Sequence, residues 1–201
     1  MAVIVMVCGQ SGTGKSSSLR NFAPEDVCIV NVSGKPLPFR NKHKTFNTDD
    51  YMAIDAALKK APAKSIIIDD ATYLMTGEYM RTANVSGYQK FTTLALNFYT
   101  LVKTAAALPE DKIVYFMGHI DTDANGNEKF KTIGKLLDEK ITLEGMFTIV
   151  LKTVVQDGKY LFSTRNNGQD TVKTPLEMFD DALIENDLSM VDRTIREYYG
   201  I

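Results

Sequence analysis

The sequence predicts an α/β fold with a mainly parallel sheet, flanked by helices and extended by an antiparallel hairpin towards its C-terminal end. Short runs rich in valine and isoleucine alternate with segments of helical periodicity, which is the pattern of a parallel sheet with crossover helices. The predicted strands are Val3–Cys8, residues 27–32, Ser65–Asp69 and Ile113–Gly118. Within the third of these, the continuous run Ile66-Ile67-Ile68 is typical of a strand that is buried on both faces.

Helices are predicted in the segments between and after these strands. Residues 88–108 carry an apolar stripe at helical spacing that begins at Phe91, and Pro109 follows, where it can end a helix. Tyr51–Lys60 and residues 190–199 are the other clear helical patterns. A further helix is expected to open near Gly14, directly after the first strand.

The pattern changes after the fourth strand. Residues 147–155 and 159–164 are strand-like and meet at Asp157-Gly158, a type I′ hairpin signal. Residues 120–145 are long, polar and interrupted by glycine, and connections of this length are usually functional or mobile. No repeat or linker divides the chain, so residues 1–201 are predicted to form one domain.

Composition narrows the class of protein. With 201 residues, 44% hydrophobic and 24% charged, the chain has the make-up of a folded, water-soluble protein. No apolar run reaches the roughly 20 residues of a membrane span, so we expect no membrane contact and a cytoplasmic location. A net charge of −2 gives no global attraction to nucleic acid. Cys8 and Cys28 lie in strand-like runs and are expected to be buried thiols.

A phosphate-binding loop follows the first strand. The sequence there matches G-x-x-x-x-G-K-[ST], and glycines in this pattern let backbone N–H groups turn onto phosphate oxygens. We expect Lys15 to face solvent and reach the β- and γ-phosphates of a bound nucleotide, and Ser16 to bind Mg²⁺. The positive end of the helix near Gly14 should add to phosphate binding. The predicted nucleotide-binding residues are Gly9, Gln10, Ser11, Gly12, Thr13, Gly14, Lys15, Ser16 and Ser17.

Polar residues at two other strand ends complete the expected chemistry. Asp69 closes a buried strand, and a carboxylate at the end of a neighbouring strand would help Ser16 to hold Mg²⁺. Asp70 is the candidate to polarise the attacking water, or else it caps the helix that follows. His119 ends the fourth strand, where it could contact the γ-phosphate, or else it is a surface or capping residue.

Several features together resemble the RecA-type ATPase core. More closely, they resemble short phage-encoded ATP-binding proteins related to single-strand-annealing recombinases. The phosphate loop alone is common to many families, whereas the order of all these features narrows the choice. They are GQSGTGKS, NVSGKPLPFR, SIIIDD, MGHID, the GKLL element and the DGKYLFSTRNN hairpin.

This resemblance implies binding of single-stranded DNA and assembly into a homo-oligomeric ring or filament in the host cytoplasm. In the RecA-type core, the residue placed like His119 couples the γ-phosphate to a DNA-binding loop, here residues 120–145. Arg165, with Lys173 behind it, could reach a neighbouring subunit's phosphates, or else is an exposed charge. The expected DNA contacts, unless these side chains are simply solvated, come from Lys129, Lys131, Lys135 and Lys140.

One departure from the RecA-type pattern leaves the chemistry open. Such enzymes usually carry a catalytic glutamate just after the second strand, but residues 31–48 contain no acidic side chain. Either Asp70 acts as the base, or hydrolysis is slow and the protein is mainly an ATP-gated binder. Two other functions also stay open: a nucleotide or nucleoside kinase, and a weakly hydrolysing regulatory module. The absence of arginine from residues 120–145 argues against the kinase, whose lid usually carries several.

Overall fold

The computed structural model describes residues 1–40 and 42–201, and the side chains of all of these except Asp138. Its strands, in chain order, are β1 Val3–Cys8, β2 Val27–Asn31, β3 Thr45–Asn47, β4 Ser65–Asp69, β5 Ile113–Gly118, β6 Ile120–Thr122, β7 Glu128–Phe130, β8 Ile149–Gln156, β9 Lys159–Ser163 and β10 Leu183–Glu185. An eight-stranded sheet has the order β10-β9-β8-β1-β5-β4-β2-β3, and β6 pairs with β7 separately.

The central sheet is mainly parallel, as predicted. Strands β8, β1, β5, β4, β2 and β3 run parallel to one another, whereas β9 and β10 extend the sheet beyond β8 with antiparallel pairing. The predicted hairpin is β8–β9, with Asp157 at φ 51° and Gly158 at φ 74° in its turn. Every residue of β1, β4 and β5 is buried, which is why these strands read as continuous apolar runs.

Helices cover both faces of this sheet. They are α1 Tyr51–Lys60, α2 Thr72–Arg81, α3 Gln89–Ala106 and α4 Leu188–Tyr199. Along β1, Ile4 and Met6 point into the core under α1, α2 and α3, whereas Val5 and Val7 point into the core under α4. The predicted stripe on α3 is its buried face. No helix in the described part of the chain is long and apolar enough to cross a membrane.

The two cysteines are free thiols, one on each of two central strands. Cys8 is buried, as predicted, and burial raises the pKa of its thiol to about 12. Cys28 is half-buried, and partial burial raises the pKa of its thiol as well. Both thiols are therefore protonated at neutral pH, because the thiolate form is poorly solvated in these positions.

The helix expected to open near Gly14 is a short 3₁₀ helix over Ser16–Asn21 rather than an α-helix. The three consecutive serines have modest helix propensity, and Ser18 Oγ donates to the carbonyl of Lys15 at 2.5 Å, a local bond that competes with helical pairing. A six-residue 3₁₀ helix has only a small macrodipole. The expectation that the positive end of a helix adds to phosphate binding is therefore corrected: this short 3₁₀ helix can contribute little.

The segment of residues 120–145 contains secondary structure that its polar sequence does not reveal. After the β6–β7 hairpin it forms a π-helix over Leu136–Ile141 and a 3₁₀ helix over Leu143–Met146. Phe130 anchors it, because its ring is buried 6.1 Å from that of Phe98 on α3. The carboxylate of Glu144 also accepts a hydrogen bond from the Phe130 N–H at 2.7 Å. The Phe130–Phe98 contact packs the segment against α3, and the Glu144 bond ties two parts of the segment to each other.

Helix α4 is fastened to the sheet by a buried polar network. Asp192 accepts hydrogen bonds from Ser65 Oγ at 2.7 Å, Tyr115 Oη at 2.9 Å and Arg196 Nε at 2.7 Å.

We expect Asp192→Ala to lower the free energy of unfolding by about 3–5 kcal/mol, because it leaves a largely buried guanidinium without its carboxylate. Urea denaturation measures this loss. Glu197→Ala, on the exposed side of the same helix, is the control, and an equal effect of both changes would contradict this account.

Candidate nucleotide-binding site

The carboxyl ends of the parallel strands bring the predicted residues to one edge of the sheet. Cys8 pairs with Gly118 and Asn31 pairs with Asp69, so the loops after β1, β2, β4 and β5 all leave at this edge. One expectation is corrected here. Strand β5 lies between β1 and β4, so Asp69 is not on a strand next to the phosphate loop. Its carboxylate is nevertheless within reach, because Ser16 Oγ donates to Asp69 Oδ1 at 3.0 Å.

A cleft of ≈ 790 Å³ runs along this edge of the sheet. The phosphate loop forms its floor. One end is formed by the loops after β2, β4 and β5, and the other by the turn of the β8–β9 hairpin and the end of β10. The cleft therefore joins the predicted phosphate and metal residues to a wall that the sequence analysis did not assign.

Two glycines of the loop are required by close contacts. A Cβ at Gly9 would lie 1.9 Å from Thr153 Oγ1, on β8. Gly14 has φ 100°, and a Cβ there would lie 2.9 Å from the Tyr160 ring on β9. Side chains at these positions would collide with the neighbouring hairpin, so the loop keeps its shape only with glycine.

Lys15 is turned towards its own loop. Its Nζ donates to the carbonyls of Gly9 at 2.9 Å and Gln10 at 2.8 Å, and only 6% of the residue is exposed. The expectation that Lys15 faces solvent is therefore wrong, because the two loop carbonyls offer acceptors within reach of the ammonium group. Burial lowers the pKa of Lys15, and the negative charges of Asp70 and Asp69 partly oppose this shift.

Asp69 is a buried carboxylate beside the phosphate loop. Only 4% of it is exposed, and burial, followed by the charge of Asp70, raises its pKa to about 6. The hydrogen bond from Ser16 partly opposes this shift. The predicted pair of Ser16 and Asp69 is thus brought together, with a hydroxyl and a carboxylate oxygen facing the same part of the cleft.

Asp70 occupies an unusual backbone conformation at the cleft. Its φ is 60°, in the left-handed region that only Asn, Asp and Gly visit readily. Its carboxylate lies 3.8 Å from Lys35 Nζ and 3.7 Å from His119 Nε2. Helix α2 begins after Ala71 without a side-chain cap, so Asp70 does not serve as the helix cap that was the alternative. A strained polar residue in a cleft is a common feature of functional sites.

Lys35 is a cleft residue that the sequence analysis did not assign to the site. Asn31, at the end of β2, donates to the Lys35 carbonyl at 2.6 Å and accepts from the Gly34 N–H at 2.9 Å. This folds the loop back, so that Lys35 Nζ lies over the Tyr73 ring at 5.1 Å and near Asp70. A cation therefore stands in the stretch where the RecA-type pattern has its glutamate. The only sequence signal was the absence of acidic residues from this stretch.

His119 connects the cleft to the β6–β7 hairpin. Its ring packs edge-on against Tyr73 at 5.6 Å, and its carbonyl accepts a hydrogen bond from the Lys131 N–H at 2.8 Å. Burial lowers the pKa of His119, and the charge of Lys15 lowers it further. The imidazole is therefore neutral at pH 7, in a form that can donate one hydrogen bond.

The remaining predicted residues lie outside this cleft. Arg165 is exposed, and its Nη2 donates to the Asp180 carbonyl at 2.5 Å beside a separate pocket that Lys173 also lines. Four lysines predicted to contact DNA do not line the cleft either. Lys131, Lys135 and Lys140 are exposed, whereas Lys129 is half-buried.

The wall at the far end of the cleft contains residues that the sequence analysis missed. Tyr160 lies in the predicted hairpin and Asn186 just before α4, and the sequence analysis gave neither of them a role in the site. Their place in the site depends on β8 pairing with β1 and on β10 pairing with β9, which no local pattern indicates. The chain matches no protein-family model and no curated protein.

Proposed function

We propose that this chain is a RecA-like P-loop ATPase that binds ATP with Mg²⁺, hydrolyses it, and acts in phage recombination by binding and annealing single-stranded DNA. The observation that carries the nucleotide part is the 3.0 Å contact between Ser16 in the loop and Asp69 at the end of β4. This contact joins two segments that are distant in sequence, and both carry residue types that suit binding of a magnesium nucleotide.

The residues around this contact fit Mg²⁺. Oxygen donors suit this ion, which usually takes one or two protein ligands and completes its shell with substrate phosphates and water. Ser16 Oγ and Asp69 Oδ1 would supply the protein ligands. Among the described residues there is no cluster of three or more His, Cys, Asp or Glu side chains that could hold a metal alone. The nucleotide itself is therefore needed to complete the site.

The other cleft residues have roles that follow from their positions. Lys15 would exchange its two loop carbonyls for phosphate oxygens, and Lys35 would bring a second cation to the same end of the cleft. Asp70 and His119 face each other at 3.7 Å, where they could orient a water and the γ-phosphate. Because Lys35 shares the carboxylate of Asp70, it would compete with water for it, which favours the slow hydrolysis left open above.

The DNA part of the proposal is supported by one structural link. The γ-phosphate end of the cleft and the β6–β7 hairpin meet at His119, whose side chain faces the cleft and whose carbonyl binds Lys131. A movement of the imidazole that shifts the His119 backbone would thus act directly on the β6–β7 hairpin, because the His119 carbonyl is bonded to it. In this proposal Arg165 completes the site of a neighbouring subunit in a ring or filament.

We expect single-stranded DNA to bind more tightly with a non-hydrolysable ATP analogue than with ADP. Replacing Lys129, Lys131 and Lys135 together with alanine should weaken binding and reduce its salt dependence, by up to about one logarithmic slope unit per lost phosphate contact. His119→Ala should keep ATP binding but remove the difference between the two nucleotides. Fluorescence titrations of labelled DNA at several salt concentrations measure all three effects.

A matched triple variant controls for the loss of charge. Lys60, Lys64 and Lys103 are exposed lysines outside the cleft, and replacing them removes the same charge elsewhere. Equal weakening by both triple variants would show that only net charge matters. Identical DNA affinity in every nucleotide state, or no binding at low salt, would instead favour the regulatory module.

A further inference from the structure

The strand order gives the cleft two chemically different ends. Strands β5 and β4, with Asp69, Asp70 and His119, lie on one side of β1, whereas β8, β9 and β10 lie on the other. In the proposed function the γ-phosphate and metal occupy the first end. A nucleotide lying along the loop towards Ser17 therefore places its base at the second end, formed by Tyr160 and Asn186.

Asn186 has an unsatisfied carboxamide at this end of the cleft. The residue is only 1% exposed, and neither Oδ1 nor Nδ2 has a hydrogen-bond partner among the described residues. Its backbone is fixed, because its N–H donates to the Tyr160 carbonyl at 3.3 Å and its carbonyl accepts from Arg20. Buried polar groups in native proteins almost always have partners, so an unpaired carboxamide lining a cleft points to a ligand.

Tyr160 and Asn186 meet beside the phosphate loop. A Cβ placed on Gly14 would lie 2.9 Å from Tyr160 Cδ1 and 3.1 Å from Asn186 Oδ1, so both side chains approach the same point of the loop. Tyr160 is 50% exposed and lines the cleft, so a ligand in the cleft can reach its ring. A flat aromatic face and a planar donor–acceptor pair are thus available where the nucleotide leaves the loop.

We propose that Tyr160 and Asn186 hold the nucleobase of the bound nucleotide and that Asn186 selects adenine. A carboxamide pairs bidentately with adenine, donating to N7 and accepting from the N6 amino group. Guanine presents acceptors at both positions, so the carboxamide oxygen would face O6 and lose its bond. The aromatic ring stacks on either purine. This inference rests on the proposed nucleotide-binding function of the loop.

The test compares the affinities of fluorescent ATP and GTP analogues for the full chain. Wild type should prefer ATP, and Asn186→Leu should lower ATP affinity by about tenfold and GTP affinity by less, so that the preference is lost. Tyr160→Ala should weaken both by about tenfold, whereas Tyr160→Phe should retain both. Asn97→Leu, at a half-buried asparagine outside the cleft, is the matched control and should change neither.

The leucine variant also separates base recognition from a structural role. Leucine replaces an unpaired buried carboxamide by an apolar group of similar size, so we expect it to retain or raise the melting temperature. Lost ATP preference in a stably folded variant would support the assignment. A wild type without ATP preference, or an unchanged preference in Asn186→Leu, would overturn it. Failure of wild type to bind either nucleotide, or unchanged binding in Lys15→Ala, would instead overturn the proposed function itself.

Discussion

Replacing Lys15 with alanine is expected to weaken binding of magnesium–ATP by about 100-fold or more and to abolish turnover. The ammonium group is the only cation inside the loop, and two hydrogen bonds to charged phosphate oxygens contribute on the order of 3–6 kcal/mol. Equilibrium titration with a fluorescent ATP analogue, followed by a phosphate-release assay, measures both losses. Lys60→Ala, at an exposed position on α1, is the control.

The fold should survive the Lys15 substitution, although not because the side chain faces solvent. Lys15 donates to the Gly9 and Gln10 carbonyls, and the alanine variant loses the stabilisation that these two bonds give the fold. The lowered pKa shows that burying the charged ammonium disfavours the folded state, so its removal offsets part of that cost. Urea denaturation should therefore give a small net change. Tight ATP binding and normal turnover by Lys15→Ala would contradict the assignment of the phosphate loop.

The central strands and the longest helix follow from local patterns, whereas several smaller elements do not. Strands such as β4 are continuous apolar runs, and α3 has a complete apolar stripe. Helix α2 is only weakly amphipathic and contains Gly77, where a Cβ would lie 2.5 Å from Asp49 Oδ2. Glycine in a helix interior and weak amphipathicity together leave this helix without a clear sequence signal. Strands β3 and β10 have three residues each and exist because a neighbouring strand pairs with them.

Some residues of the candidate site could likewise be predicted from the sequence, whereas others could not. The loop motif and the two aspartates at the end of β4 belong to the first group, since binding of a magnesium nucleotide would restrict both the residue types and their positions relative to the strands. Lys35 could not be placed, because its position depends on how Asn31 folds the loop after β2. Tyr160 and Asn186 join the cleft because β8 pairs with β1 and β10 pairs with β9. Motifs therefore indicate the end of the cleft that we propose for the phosphates, and only the tertiary structure reveals the other end.

Replacing either of the two aspartates at the end of β4, Asp69 and Asp70, is expected to impair turnover, but through different steps. Asp69→Ala should abolish magnesium-dependent turnover and weaken metal affinity by about 10- to 100-fold, because Ser16 alone would remain as protein ligand. Asp69 is buried beside the like charge of Asp70, so its ionised form disfavours folding, and we expect the variant to stay folded. Titrating Mg²⁺ into ATP-binding and phosphate-release assays measures these effects.

Asp70→Asn should instead keep ATP and Mg²⁺ binding but slow hydrolysis by about 100-fold or more, since an amide cannot accept a proton from water. Asparagine has the same shape and tolerates the φ of 60°, so the loop after β4 should keep its conformation. Lys35→Ala provides the complementary measurement, because it frees the carboxylate of Asp70 from its ion pair at 3.8 Å. If Asp70 is the base and Lys35 restrains it, loss of the lysine should weaken ATP binding while partly relieving the slow chemical step in single-turnover assays. Hydrolysis by Asp70→Asn at the wild-type rate would place the base elsewhere.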